Sequence, residues 1–235
     1  MTSPVPPATV APVLVAAAHG TSSPRGRAAI GRLVAAVAAR RPDLEVRAAF
    51  VDVQPPDPAS VLGSIPAGRG ARVVPLLLSA GYHVFVDLTE AVASVPAATL
   101  APALGPDDRL ARLLRRRLDA AGLRDDDVVV LAAAGSSQPS AVADCVRVAD
   151  TLGGLLERAV TAAFLSAAEP RLEEAVAAVR MPGRRVVVAT YLLAPGFFAD
   201  RATRCGADVV TPPLLLPNGP APDELVDIVV ERYLS

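Results

Sequence analysis

Two histidines stand in this chain, His19 and His83, and no others. Each follows a short apolar run: residues 13–18 (VLVAAA) end directly at His19, and residues 72–78 (RVVPLLL) reach His83 through a short loop that contains Gly81. Runs of this length bounded by turn-forming residues read as buried strands, so both imidazoles belong at carboxyl ends of strands. Imidazole has an ordinary pKa of about 6.5, accepts protons near neutrality, and is a common ligand of Fe(II), Co(II), Ni(II) and Zn(II). A pair of them can hold a metal ion or take up protons that the ion displaces. One histidine in an Ala- and Val-rich chain would read as a packing residue; two at equivalent strand ends read as a site.

The scaffold that must position them is duplicated. After residues 13–18 come turn residues 19–24 (HGTSSP) and an apolar helical pattern from about Arg27 to Arg40; residues 128–134 (VVVLAAA), 135–139 (GSSQP) and a further helical stretch repeat that order. Gly20 maps onto Gly135, Thr21 onto Ser136, Ser22 onto Ser137 and Pro24 onto Pro139, each 115 residues on. The same spacing carries residues 73–78 onto 188–193 and Asp108 onto Asp223, while residues 48–50 (AAF) match 162–164 with a one-residue slip. Each half reads as strand, helix, strand, helix, strand, helix, short strand, helix. This is an α/β pattern with parallel sheets and right-handed crossovers. The boundary is expected near residues 122–127, giving an N-terminal lobe of residues 1–122 and a C-terminal lobe of residues 123–235. Ligands of such folds bind at the carboxyl ends of strands. The positions equivalent to His19 and His83 are Ala134 and Phe198, so the second lobe lacks the imidazoles.

Composition removes several function classes. All 23 basic residues are arginine, which excludes Schiff-base chemistry and a phosphate-loop lysine, and the net charge of -1 gives no global field for nucleic acid or anionic lipid. Arginine suits carboxylate ligands. Cys145 and Cys205 have no metal-ligand or disulfide spacing and read as two reduced thiols. Residues 1–24 lack the basic start of a secretion signal, and no run reaches the roughly 18 apolar residues of a membrane span. A cytoplasmic location without membrane or nucleic-acid partners is expected. Oligomeric state stays open, and a monomer is compatible with everything above.

Residues 18–26 (AHGTSSPRG) together with residues 74–87 (VPLLLSAGYHVFVD) resemble the paired motifs of the sirohydrochlorin chelatases, the CbiX/SirB-type class II chelatases. The resemblance spans nearly the whole chain, duplication included. It implies two flavodoxin-like lobes around a cleft and the insertion of Fe(II) or Co(II), as substrate, into a sirohydrochlorin-type tetrapyrrole, with neither ATP nor another nucleotide. His19 and His83 match the family's catalytic, metal-binding histidines, and Asp87 matches an acidic residue four positions beyond the second. Where many members carry Phe-Leu-Glu after the second strand, this chain has Phe50-Val-Asp52, which leaves the role of Asp52 open.

Metal insertion requires loss of water from the ion, bending of the macrocycle and departure of two pyrrolic protons; neutral histidines serve the first and third. For the carboxylates on the substrate's rim, Ser22, Ser23 and Arg25 at a helix start are the expected contacts, although Ser22 or Ser23 can equally serve as the helix cap. Tyr82 can stack on the ring or pack against Leu78. Residues 135–138 read as the opposing loop, Phe197 and Phe198 as cleft lining or the filling of a former metal position, and residues 115–117 (RRR) as a solvated helix face. A non-catalytic metal or tetrapyrrole carrier of the same fold is the alternative.

Overall fold

A computed structural model describes residues 11–79 and 82–235; the side chains of residues 82–85 lie outside that description. The elements alternate as the sequence predicts. The first half runs β1 (Val13–Ala18), α1 (Pro24–Arg40), β2 (Val46–Phe50), α2 (Pro58–Gly63), β3 (Ala71–Pro75), α3 (Tyr82–Ala93), β4 (Ala98–Leu100) and α4 (Asp108–Ala120). The second repeats this as β5 (Val128–Ala133), α5 (Pro139–Leu156), β6 (Val160–Phe164), α6 (Leu172–Ala178), β7 (Val186–Tyr191), α7 (Phe197–Ala202), β8 (Val209–Val210) and α8 (Asp223–Leu234). Two parallel four-stranded sheets result, ordered β2-β1-β3-β4 and β6-β5-β7-β8. The third strand is shorter than the 72–78 run, but its direction continues: Leu76 N–H donates to Ala17 O at 2.8 Å. Among the described residues, no helix is long and apolar enough to cross a membrane.

Strands buried on both faces need apolar residues at every position, and β1 is buried throughout. Its alternate residues go to different cores. Leu14, Ala16 and Ala18 join one cluster, Val13, Val15 and Ala17 another. Strand β5 divides likewise, with Val129, Leu131 and Ala133 in the first cluster and Val130 and Ala132 in a third. The shared cluster therefore lies between the sheets, filled by α1, α4, α5 and α8, while the other two lie under α2 and α3 and under α6 and α7.

Within this central layer the last helices of the two halves are exchanged. Helix α4 packs on α5 and β7 of the second sheet, and α8 packs on α1 and β3 of the first. One arginine pins each helix. Arg117 of α4 donates to Leu214 O at 2.7 Å, and Arg232 of α8, 115 residues on, donates to Leu104 O at 3.2 Å. The two carbonyl residues are themselves equivalent, since Leu104 N–H bonds Leu77 O and Leu214 N–H bonds Leu192 O. The run expected as a solvated face is thus corrected: Arg115 reaches Leu155 O, Arg116 pairs with Glu224, and Arg117 is half-buried. An amphipathic helix must cover a core, and here the covered sheet belongs to the other half.

At the start of β5, buried Asp127 accepts from Arg185 Nε at 2.9 Å and Nη2 at 2.6 Å, and from the Arg124 amide at 2.7 Å. The Arg185 hydrogen bonds hold its carboxyl below the ordinary carboxylate value. A lowered folded-state pKa contributes stability above the unfolded value of about 3.9 and loses it as pH falls through the folded one. Asp127→Asn should lower unfolding free energy by about 1–3 kcal/mol at pH 7. In denaturant titrations the gap to wild type should close below about pH 4; a gap independent of pH would contradict this pairing.

Candidate functional site

The carboxyl ends of both sheets face one cavity of about 720 Å³, within the range of small-molecule sites. Its wall is drawn from both halves: His19, Thr21, Ser22, Val53, Gln54 and Leu76 to Ser79 from the first, and Ala134 to Ser137, Ser166, Ala167 and Leu192 to Ala199 from the second. Among the described residues no arginine, aspartate or glutamate lines it. The described wall thus offers a charged ligand neutral donors and the His19 imidazole.

His19 is exposed and follows β1 directly, as expected. Its backbone carbonyl accepts the Asp52 N–H at 2.8 Å, which ties the loop to the end of β2. The next residue must be glycine. Gly20 has φ +99°, and a Cβ there would stand 1.9 Å from Asp52 O; Gly135, with φ +95°, would meet Ser166 O at 1.8 Å. Glycine accepts positive φ at little cost, so both loops turn sharply against the neighbouring strand end. Thr21 N–H then bonds Gln54 Oε1 at 3.2 Å, and Thr21 Oγ1 accepts the Ser23 amide at 3.1 Å; Ser136 Oγ does the same for Gln138.

The loops after β2 and β6 share a second feature. Val53 and Ala167 take positive φ values of 68° and 54°, and tight bonds from Gln54 N–H to Asp52 O and from Ala168 N–H to Ser166 O close the turns at 2.8 and 2.7 Å. A β-branched residue at positive φ is strained, and such strain concentrates at binding sites. Nothing in the residue types marks these turns, which is why sequence reasoning missed Val53 and Gln54.

The expected site residues separate in space. Ser22 is exposed on the wall, whereas Ser23 caps α1, its Oγ accepting Gly26 N–H at 3.3 Å. Arg25 is exposed in the first turn of α1, off the cavity wall, with no ion pair among the described residues. Asp52 is likewise off the wall, its carboxylate turned to its own loop by a 2.7 Å bond from Val53 N–H. Asp87 is exposed on α3. The backbone of Tyr82 and His83 forms the first turn of that helix, so His83 sits on a helix start after β3; their side chains lie outside the described residues. Among the described residues no three His, Cys, Asp or Glu side chains gather as a metal cage.

Two buried groups were also missed. Cys145, on α5, lines the cavity, and burial pushes its thiol up to about 11, against a hydrogen bond from Ser79 that lowers it. Its counterpart in the first half, Ile30, lines the same wall, so the repeat spacing carried the signal. Tyr191, buried at the end of β7, donates its hydroxyl to Leu78 O at 2.9 Å across the halves, and burial raises its pKa well above the ordinary value. Gly105 leaves room for that contact: a Cβ there would come within 2.4 Å of Tyr191 Oη.

The halves also touch at the cavity edge. A Cβ on Gly26 would lie 2.4 Å from Pro195 O and 2.8 Å from Thr21 Cγ2, whereas one on Gly31 of the same helix would meet nothing within 4 Å. Alanine favours a helix by about 1 kcal/mol over glycine. Gly31→Ala should therefore raise the thermal midpoint, and Gly26→Ala should lower it because a backbone oxygen must move. Equal gains for both in calorimetry would refute the close approach of the 195 loop to α1.

The CbiX family model matches residues 13–121 and 128–204. Solved structures share the fold at low identity. Bacillus subtilis SirB with Fe3+ has a TM-score of 0.76 at 18% identity, covering 94% of this chain and 94% of that one. The sirohydrochlorin chelatase SirB of Bacillus subtilis subspecies spizizenii in complex with cobalt has a TM-score of 0.76 at 16% identity, covering 95% and 94%. CbiX, described as the terminal enzyme of siroheme biosynthesis in denitrifying bacteria, has 0.67 at 20% identity, covering 93% and 98%. Among curated proteins, no sequence matches.

Proposed function

The chain belongs to the CbiX family, and from that premise we propose that it inserts a divalent metal ion, Fe(II) or Co(II), into sirohydrochlorin or a close tetrapyrrole without nucleotide. The observation that carries this reading is His19 on the wall of a cavity, shared by two strand-end clusters, that has no arginine, aspartate or glutamate among its described residues. The family's chemistry, as the SirB and CbiX names state it for those proteins, fits such a site.

Insertion forms bonds from the metal to the ring nitrogens and releases two pyrrolic protons. In the proposed site, His19 and His83 replace water on the incoming ion and accept those protons, after which product and protons leave to solvent. Low surrounding polarity strengthens each such interaction. The largely apolar wall receives the conjugated ring, and its carboxylates are left at the mouth. There the exposed Arg25 and the Ser22 hydroxyl are the proposed contacts, with Ser23 holding the helix start beneath them and Tyr82 against the ring. The lobes are proposed as residues 1–122 and 123–235, the second closing over a site whose reactive groups come from the first. A cytoplasmic siroheme or cobalamin pathway would supply the substrate.

Anaerobic absorbance spectroscopy tests the proposal. Purified protein should speed incorporation of Fe(II) or Co(II) into sirohydrochlorin with multiple turnovers, and His19→Ala or His83→Ala should each reduce the rate at least a hundredfold, in line with loss of a general acid-base group of about 10²–10⁴. A carrier would bind metal or ring stoichiometrically and leave the rate at that of the free reactants. Variants that match wild type would remove the histidines from the mechanism.

A further inference from the structure

Phe197 is 74% exposed, an unusual state for a large aromatic side chain, and it lines the cavity. It is the first residue of α7, immediately after Gly196 at the end of the loop that follows β7. Its neighbour Phe198 is half-buried and packs against the core beneath α6 and α7. The two rings meet edge to face, with centroids 5.5 Å apart and planes inclined at 64°. This is a favoured arrangement for aromatic pairs. Phe198 thus packs beside Phe197, whose ring stays exposed at the cavity.

The position has a counterpart. Tyr82 stands 115 residues earlier and is likewise the first residue of a helix, α3, after the third strand of its own half. The duplication has therefore placed an aromatic residue at the same backbone position, the start of the helix after the third strand, in each half, although the histidine that follows Tyr82 has become Phe198. The rest of the wall strengthens the point. Without a guanidinium or carboxylate among its described residues, the cavity offers a ligand apolar contact and neutral hydrogen bonds, which suit the face of a flat conjugated ring far better than a charged rim.

We propose that Phe197 is a substrate-binding residue of the second lobe that stacks on the face of the tetrapyrrole and thereby sets the ring's orientation toward His19. The inference rests on the function proposed above and gives the second lobe a direct part in recognition. Aromatic stacking on a planar heterocycle typically contributes enough for about a tenfold change in affinity, and often more.

The test is an absorbance and fluorescence titration of metal-free sirohydrochlorin with wild type, Phe197→Ala, Phe197→Leu and Phe197→Trp, beside a Co(II) titration of each protein alone. Because the side chain is exposed, all four should fold, which circular dichroism verifies. The expected result is binding weakened about tenfold in the alanine and leucine variants and retained in the tryptophan variant, with Co(II) binding equal in all. If alanine or leucine binds the ring as tightly as wild type does, the stacking role is wrong while the chelatase reading stands. If wild type binds no tetrapyrrole, the chelatase reading falls and the stacking role falls with it.

Discussion

The structure depends on the exchange of α4 and α8 across the central layer. A four-stranded parallel sheet must be covered on both faces, and each half of this chain has only three helices that can reach its own sheet before its last helix departs. The missing cover comes from the other half. Arg117 and Arg232 hold equivalent carbonyls at matching places, and Leu110, Leu113, Leu114 and Leu118 of α4 are buried in the same cluster as Leu225, Val226, Ile228 and Val229 of α8. The sheets therefore cannot separate without opening a common core, which at roughly 25 cal/mol per Å² of apolar surface is the dominant favourable term in a fold of this size. That rigidity fixes the distance between the two sets of strand ends, and with it the cleft.

Against this symmetric frame the chemistry is one-sided. Both halves keep the glycine turn after the first strand and the positive-φ turn after the second, because those are demands of the backbone. Gly20 and Gly135 would each drive a Cβ into the neighbouring strand end. Only the first half keeps histidines; the second has Ala134, which is half-buried, and Phe198, which packs into a core. Shared geometry and divergent side chains fit the proposed division, in which the first copy carries the reactive groups and the second is a binding wall. Cys145 fits the same pattern: held protonated by burial, it serves the wall as a small apolar group.

Much of this was readable from residue types. The apolar runs gave β1 and β5 to within a residue, and Pro24 after Ser23 marks the start of α1, where Ser23 does cap the helix. Repeat spacing located the strand ends, with His19 directly after β1 and the backbone of His83 in the first turn of α3. Other features lay beyond such reading for physical reasons. Amphipathy tells that α4 buries a face but not which sheet it covers, so Arg115, Arg116 and Arg117 looked solvated. Positive φ at Val53 and Ala167 is imposed by the strand ends around them and has no residue signature. Arg25 reads as a carboxylate contact because it follows Ser22 and Ser23 at a helix start; its place in the first turn of α1, exposed and off the cavity wall, follows from the helix geometry and not from residue type.

The central claim is that the metal enters at the strand ends of the first half. Anomalous diffraction from crystals soaked anaerobically with Co(II) tests it most directly. A cobalt peak about 2.0–2.3 Å from the imidazole nitrogens of His19 and His83 is the expected result. A peak elsewhere, or beside Ser136 and Ser137 of the second half with His19 unligated, would contradict it.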